Sequence, residues 1–186
     1  MGYEVARTLD ADLSLVIVRK LLFTDNPEAG FGAIAEDGST IIIEEATSGV
    51  PKDTLKRIIE FQQEEIERRI QILRNGEPLP DLQGRIVILV DDGIAMGSTM
   101  RAAVELCKHR EAARIIVAVP VTGASVAREI GALVDEIVVL KKPHYFRAVA
   151  QVYRNWYDVS DQEVLELMHT WQSATRGNTR DVEGEK

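Results

Sequence analysis

The chain has 186 residues, a length that suits one domain. Its 22 Lys and Arg residues and 30 Asp and Glu residues give a formal net charge of −8, which disfavours nonspecific binding to nucleic acid or anionic lipid. A single cysteine, Cys107, excludes an intramolecular disulfide framework and a cysteine-rich zinc site. No apolar run approaches the roughly 20 residues of a membrane span, and no basic, apolar leader opens the chain, so the sequence predicts a cytoplasmic protein.

Apolar runs alternate with helical segments along much of the chain. Residues 3–9 are compatible with a helix, and Leu13 to Val18 is a continuous apolar run of the kind found in doubly buried parallel strands. Three similar runs, separated by two helical segments, are Ile86 to Val90, Ile115 to Val119 and Ile137 to Leu140. This alternation predicts an α/β fold with a parallel sheet, whose ligands bind at the carboxyl ends of the strands.

Two further elements interrupt the alternation. Residues 31–44 are typical of a β-hairpin that turns at Asp37-Gly38. Residues 51–75 form a long amphipathic helix pattern, opened by Pro51 and closed by Gly76. Its charge-rich side is interpreted as a solvated outer face or as a dimer surface.

The strand that ends at Val90 is followed by two adjacent acids, Asp91 and Asp92, a loop of small residues and the start of a helix. Free backbone N–H groups at a helix N-terminus can converge on an anion, with the positive end of the helix dipole behind them. Gly97 permits the tight approach of an anion there, and the hydroxyls of Ser98 and Thr99 can donate as well. These features predict an anion site.

Capping of the helix by Ser98 or Thr99 alone is the simpler interpretation of this segment. However, the first helical turn carries no acid before Glu105, so the positive end stays available to a ligand. The two carboxylates would repel phosphate but would accept hydrogen bonds from hydroxyls. A sugar phosphate satisfies both parts, with ribose hydroxyls on the acids and phosphate at the helix.

The segment from Ile88 to Thr99 resembles the signature of the type I phosphoribosyltransferases, which use phosphoribosyl pyrophosphate (PRPP). Segments 18–20, 26–28, 32–38 and 145–149 are similar to a little-characterised bacterial and archaeal subgroup. The resemblance implies a Rossmann-like, three-layer fold with the hairpin and long helix inserted and a small C-terminal hood. The domain would span residues 1–173, followed by a disordered polar tail over 174–186.

The resemblance also implies roles for particular residues. Asp91 and Asp92 would be catalytic and hold the ribose hydroxyls, while Arg19 and Lys20 would lie toward the pyrophosphate. The aromatic residues between positions 145 and 157 are interpreted as packing of a C-terminal subdomain or as a hood that stacks on the acceptor base, in which Tyr145 and Phe146 would bind the base. The 5′-phosphate would be held by Ala95, Met96, Gly97, Ser98 and Thr99. Mg²⁺ would accompany PRPP, with no metal site built from protein side chains alone, and the protein would be a homodimer.

Several departures from the family pattern stand in this chain. Met96 replaces the usual Thr, Gly93 replaces an apolar residue, and Ala95 stands where some purine-salvage members carry a carboxylate base. The family's first strand and its Gly-containing pyrophosphate loop are absent ahead of residues 3–9. We therefore expect a strand and a Gly-rich turn to be encoded upstream of Met1.

Three alternatives remain open from the sequence. Lys142-Pro143 after a strand is also a feature of response-regulator receivers. In that fold a phosphoacceptor Asp follows the strand between the acids and the lysine, but here that strand, Ile115 to Val119, ends without one. A second alternative is a regulatory protein that senses PRPP or a nucleotide without turnover, and a third is an inactive short form. The leading hypothesis is an enzyme that transfers phosphoribose from PRPP to a nitrogenous base with release of pyrophosphate.

Overall fold

A computed structural model describes residues 1–23 and 26–180 of the chain, with side chains described for 1–23 and 30–174. The helices are α1 (Gly2–Leu9), α2 (Glu44–Thr47), α3 (Lys52–Arg74), α4 (Ser98–His109), α5 (Ala124–Gly131) and α6 (Asp161–Arg180), with a 3-10 helix at Val149–Val152. The strands are β1 (Val18–Phe23), β2 (Asn26–Ala35), β3 (Thr40–Ile42), β4 (Ile86–Val90), β5 (Arg114–Val121) and β6 (Glu136–Lys141).

The strands form two three-stranded sheets. One is parallel, in the order β4-β5-β6, and its strands are the three apolar runs that the sequence predicts after residue 85. The other is antiparallel, in the order β1-β2-β3. Among the described residues, β4 pairs only with β5 and β1 only with β2, so each leaves one edge without a strand partner. A further parallel strand ahead of α1 stays a prediction.

The hairpin and the long helix are confirmed. The hairpin is β2 and β3, and its tip is tied to the end of α4, because Ser39 Oγ lies 2.7 Å from Asp37 Oδ2 and 3.0 Å from His109 Nδ1. α3 ends at Asn75, which adopts a left-handed conformation with φ 58°. The dimer interpretation of its outer face stays a prediction.

The prediction of a parallel strand over Leu13 to Val18 is wrong, because β1 only begins at Val18 and then pairs antiparallel with β2. Side chains instead satisfy much of this segment's backbone. Ile17 N–H donates to Glu36 Oε1 at 2.8 Å, and Leu15 C=O accepts from Arg74 Nη1 at 3.0 Å. A buried backbone needs such partners, and here an ion pair supplies them in place of a neighbouring strand.

Two apolar clusters make the core. In the first, α4 packs on the parallel sheet and on β2, with Val104, Leu106 and Val117 fully buried. In the second, α3 covers the antiparallel sheet, with Leu21 and Phe31 fully buried. The carboxyl ends of β4, β5 and β6 are therefore held by a rigid layer of helices, and the loops that follow them are the natural place for a site.

Helix α6 is an element that the sequence analysis did not predict. It begins with a capping box, in which Ser160 N–H donates to Glu163 Oε2 at 2.9 Å and Glu163 N–H donates to Ser160 Oγ at 3.3 Å. The helix continues to Arg180, so residues 174–180 of the predicted disordered tail are helical, and 181–186 lie outside the described residues. None of the helices in the described ranges has the length and apolar character needed to cross a membrane.

Candidate active site

The two acids lie where β4 leaves the parallel sheet. The ladder with β5 ends at Val90, and the chain returns to the sheet at Ile94, whose N–H donates to Val121 C=O at 3.0 Å. The buried Thr122 hydroxyl donates to Ile94 C=O at 2.8 Å. Asp91 and Asp92 are thus presented on a short loop that is anchored on both sides by the sheet.

The environment disfavours the charged form of both acids. Burial raises the pKa of Asp91 to about 6, and the neighbouring charge of Asp92 adds to the rise, while the Asp92 N–H, 2.9 Å from Asp91 Oδ1, opposes it. Burial also raises the pKa of Asp92, and the positive charge of Lys20 opposes this rise. Asp91 is nevertheless exposed to solvent, so water screens its charge and reduces the energetic effect of the raised pKa.

The raised pKa of Asp91 predicts a pH-dependent cost to folding. The pKa of Asp91 is about 6 in the folded protein and 3.8 in the unfolded chain, so the protein loses stability as the pH rises through that window. We expect Asp91→Asn to raise the unfolding free energy by about 1 kcal/mol at pH 7.5, after allowance for solvent screening. Urea melts of the ligand-free protein at pH 7.5 and pH 4 measure this, and the gain should disappear at pH 4; an equal gain at both would contradict the prediction.

The start of α4 is arranged as the sequence predicts for an anion site. Gly97 is the N-cap residue with φ 87°, and in the described structure no side chain caps the helix and no acid lies in its first turn. Ser98 and Thr99 are half-buried, whereas Ala95 and Met96 are exposed, Met96 by 66%. The first-turn N–H groups are therefore not occupied by a capping side chain.

Gly97 is required for a different reason from the one expected. A Cβ at this position would point into the core, 3.3 Å from Val126 Cγ1 and 3.5 Å from Ile94 Cγ2, rather than toward the anion site. What needs glycine is the positive φ, because an L-residue in this conformation is strained by about 1–2 kcal/mol.

We expect Gly97→Ala to lower the unfolding free energy by about 1–2 kcal/mol in urea melts. Gly49→Ala is the matched control, because Gly49 has φ 81° and nothing within 4 Å of its Cβ position. Backbone strain should destabilise both variants by the same amount, and Gly97→Ala should be destabilised further because its Cβ lies close to Val126. An unchanged melt for Gly97→Ala would contradict this account.

The two cations of β1 point to opposite faces, as alternate residues of a strand do. Lys20 acts electrostatically on Asp91 and on Asp92, so it faces the acid pair. Arg19 turns toward α3, where its Nε donates to Gln62 Oε1 at 3.0 Å, and burial together with Arg69 lowers its pKa. The structure therefore brings Lys20, and not Arg19, to the acid pair.

A second candidate site is a concavity at the carboxyl ends of β5 and β6. It has a volume of about 270 Å³, and its lining residues are Gly123, Ala124, Ser125, Lys142, Pro143, His144 and Phe146. Phe146 is half-buried in this wall, whereas Tyr145 is 96% exposed. Of the two predicted hood aromatics, the structure places only Phe146 in a pocket; Lys142 and His144 were not predicted there.

Tyr153 is a contact of the acid pair that the sequence analysis did not single out. Its hydroxyl donates to the backbone C=O of Asp92 at 2.6 Å, although 61 residues separate the two. Gly93, which replaces the apolar residue of the family pattern, makes room for the same segment, because a Cβ there would lie 2.8 Å from Val121 Cγ1 and 2.9 Å from Val149 Cγ1. The aromatic content of residues 145–157 was the available signal.

The acid pair also supplies potential metal ligands. Within the described part of the chain, no group of three or more His, Cys, Asp or Glu side chains could hold a metal ion. The acid pair offers two hard oxygen ligands, and Mg²⁺ commonly binds through one or two carboxylates together with substrate phosphates. The donor set therefore fits Mg²⁺ shared with a phosphorylated substrate. Cys107 is buried in the core, where burial raises its pKa to about 11.

Comparisons with known proteins bear on the family and the fold of this chain. Residues 1–153 match the family model described as "Phosphoribosyl transferase domain". Two curated proteins named "Putative phosphoribosyl transferase", from Mycobacterium tuberculosis strains CDC 1551 and H37Rv, are each 36% identical over 170 residues. The match covers 90% of this chain but 38% of each relative, so the chain spans about two fifths of their length.

A solved structure is similar over nearly the same range. The crystal structure of the protein TT1426 from Thermus thermophilus superposes with a TM-score of 0.72 at 33% sequence identity. The alignment covers 91% of this chain and 81% of that one. The α/β fold with its parallel sheet is thus shared with a solved relative.

Proposed function

Because the chain belongs to the phosphoribosyl transferase domain family, we propose that it binds PRPP and transfers the phosphoribosyl group to a nitrogenous base with release of pyrophosphate. The observation that carries the proposal is the acid pair at the end of β4, followed directly by the uncapped start of α4. The reaction makes it a pentosyltransferase.

Substrate binding follows from these two parts of the site. Asp91 and Asp92 accept hydrogen bonds from the ribose hydroxyls, which a carboxylate does about twice as strongly as a neutral acceptor. The N–H groups of residues 96–99 hold the 5′-phosphate against the positive end of α4, and Ser98 and Thr99 donate their hydroxyls. Backbone donors supply most of this binding, so Met96 in place of a threonine leaves it functional.

Catalysis in this site rests on positioning and on charge. The bond from C1′ of the ribose to the pyrophosphate oxygen breaks, and its electron pair leaves with pyrophosphate. A ring nitrogen of the acceptor donates its lone pair to C1′ and then loses its proton to solvent, since Ala95 offers no base there. The positive charge that develops on the ribose lies close to Asp91 and Asp92, which stabilise it electrostatically.

Mg²⁺ fits the donor set of the acid pair, and it would neutralise the pyrophosphate as that group leaves. Asp91 and Asp92 are the residues that would hold it in place. Lys20 faces the same acids and offers a cation beside them. The protein itself must keep both carboxylates ionised and oriented, which requires a pH above the raised pKa of Asp91, about 6.

The acceptor base is proposed to occupy the 270 Å³ pocket at the carboxyl ends of β5 and β6, the same edge of the sheet as the acids. Phe146 offers an aromatic face, and Lys142, His144 and Ser125 offer polar groups around it. A flat heterocycle with exocyclic polar atoms suits such a wall.

A sensor that binds PRPP or a nucleotide without turnover is the second candidate. The observation that favours it is the loop from Gly93 to Thr99, which carries no ionisable side chain for proton transfer. This candidate predicts binding with the same residues but no pyrophosphate release.

One experiment tests both candidates. The protein is incubated with PRPP, Mg²⁺ and a panel of purine and pyrimidine bases, and pyrophosphate is measured with a coupled assay, while calorimetry measures PRPP binding. Base-dependent release supports the enzyme, and binding without release with any base supports the sensor. Absence of PRPP binding would contradict both.

A further inference from the structure

The segment after β6 holds the acid-pair loop at two points. The Tyr153 hydroxyl donates to Asp92 C=O at 2.6 Å and also lies 3.7 Å from Met1 Sδ. Val149, in the 3-10 helix just before it, packs against Gly93, where a Cβ would be only 2.9 Å from its Cγ1. The contact is thus between one segment and two consecutive residues of the loop.

The backbone of Asp92 is fixed on both sides by these contacts. Its N–H donates to Asp91 Oδ1 at 2.9 Å, and its C=O accepts from Tyr153. Between Val90, the last residue of the β4 ladder, and Ile94, where pairing resumes, the loop has no ladder hydrogen bond to β5. The phenol therefore sets the orientation of the peptide plane that follows Asp92.

Tyr153 is itself well held. Its ring packs on Trp156 with centroids 5.3 Å apart, and burial, together with the charges of Asp92 and Asp91, raises its pKa. A phenol in this setting stays protonated and remains a donor.

The same segment also reaches the concavity at the carboxyl ends of β5 and β6. Phe146 lines the pocket beyond β5 and β6, and Gln151 Oε1 accepts the backbone N–H groups of Arg147 and Ala148, at 3.1 and 3.4 Å. Residues 146–153 are therefore braced internally, from the pocket wall at one end to the acid pair at the other.

We propose that Tyr153 is a positioning residue that orients Asp92 for ribose binding. The inference rests on the proposed role of the acid pair in binding ribose.

The test compares Tyr153→Phe with Tyr157→Phe. Tyr157 belongs to the same segment, but it is 64% exposed and its hydroxyl interacts with Glu163 on the surface. Calorimetry measures affinity for ribose 5-phosphate and for inorganic phosphate. We expect Tyr153→Phe to weaken ribose 5-phosphate binding by about three- to tenfold, the range for one lost hydrogen bond, and to leave phosphate binding unchanged. Tyr157→Phe should change neither.

Amide hydrogen exchange of the ligand-free protein is the second measurement. Exchange at residues 91–94 should speed up in Tyr153→Phe, with β5 and α4 unchanged, and in Tyr157→Phe it should stay as in the wild type. Equal ribose 5-phosphate affinity and equal exchange in Tyr153→Phe and the wild type would overturn the inference. A wild type that binds ribose 5-phosphate no better than phosphate would instead contradict the proposed function, and the exchange data would still decide whether Tyr153 orders the loop.

Discussion

The variants Asp91→Asn and Asp92→Asn are expected to bind PRPP about 10- to 100-fold more weakly than the wild type. Each replacement removes a charged acceptor for a ribose hydroxyl, which is worth about 1.5–3 kcal/mol. Asparagine keeps the size and one carbonyl oxygen, so the loop anchored at Ile94 should keep its shape. Calorimetry with PRPP and Mg²⁺ measures the affinities.

The changes in PRPP affinity and in stability together distinguish this loss of binding from misfolding. A misfolded variant would lose both affinity and stability, whereas Asp91→Asn should lose affinity while gaining stability at neutral pH, because the raised pKa of Asp91 marks an unfavourable charge. Asp53→Asn, which removes an exposed acid from the first turn of α3, is the control and should leave PRPP affinity unchanged. Unchanged affinity in both Asp91→Asn and Asp92→Asn would refute the assignment of the acid pair.

The elements that could be predicted from the sequence are those determined by residues close together along the chain. β4, β5 and β6 each contain a run of residues rich in branched apolar side chains, and α3 has an apolar stripe between two recognisable ends. The order of acids, loop and helix start at the end of β4 could be predicted as well, since these features lie within nine consecutive positions. α6 was missed although its capping box from Ser160 to Glu163 is local, because the aromatic residues before it give the stronger signal.

What could not be predicted depends on contacts between distant residues. Leu15 and Ile17 look like a strand because they are apolar, but whether a strand forms depends on a partner, and here Glu36 and Arg74 take that place. The hydrogen bond from Tyr153 to Asp92 likewise spans 61 residues. The direction of the Gly97 Cβ, toward Val126, is set by the packing of α5 and has no signal near residue 97.

The ion pair between Glu36 and Arg74 carries the second large prediction. Both side chains are nearly fully buried, 6% and 7% exposed, and they bind each other as well as the backbone of Leu15 and Ile17. Replacing Glu36 by glutamine removes the negative partner and leaves the charge of Arg74 buried alone, so we expect Glu36→Gln to lower the unfolding free energy by about 3 kcal/mol. Urea melts at pH 7.5 measure it.

The control is Glu60→Gln, since Glu60 pairs with Lys56 at 3.7 Å on the surface, with 53% of its side chain exposed. That variant should change the unfolding free energy by about 1 kcal/mol or less. The double variant Glu36→Leu/Arg74→Met should lose less than the sum of its single variants, because neither charge is then buried alone. Additive losses, or a Glu36→Gln variant as stable as Glu60→Gln, would show that the segment before β1 is held by its apolar side chains and not by this pair.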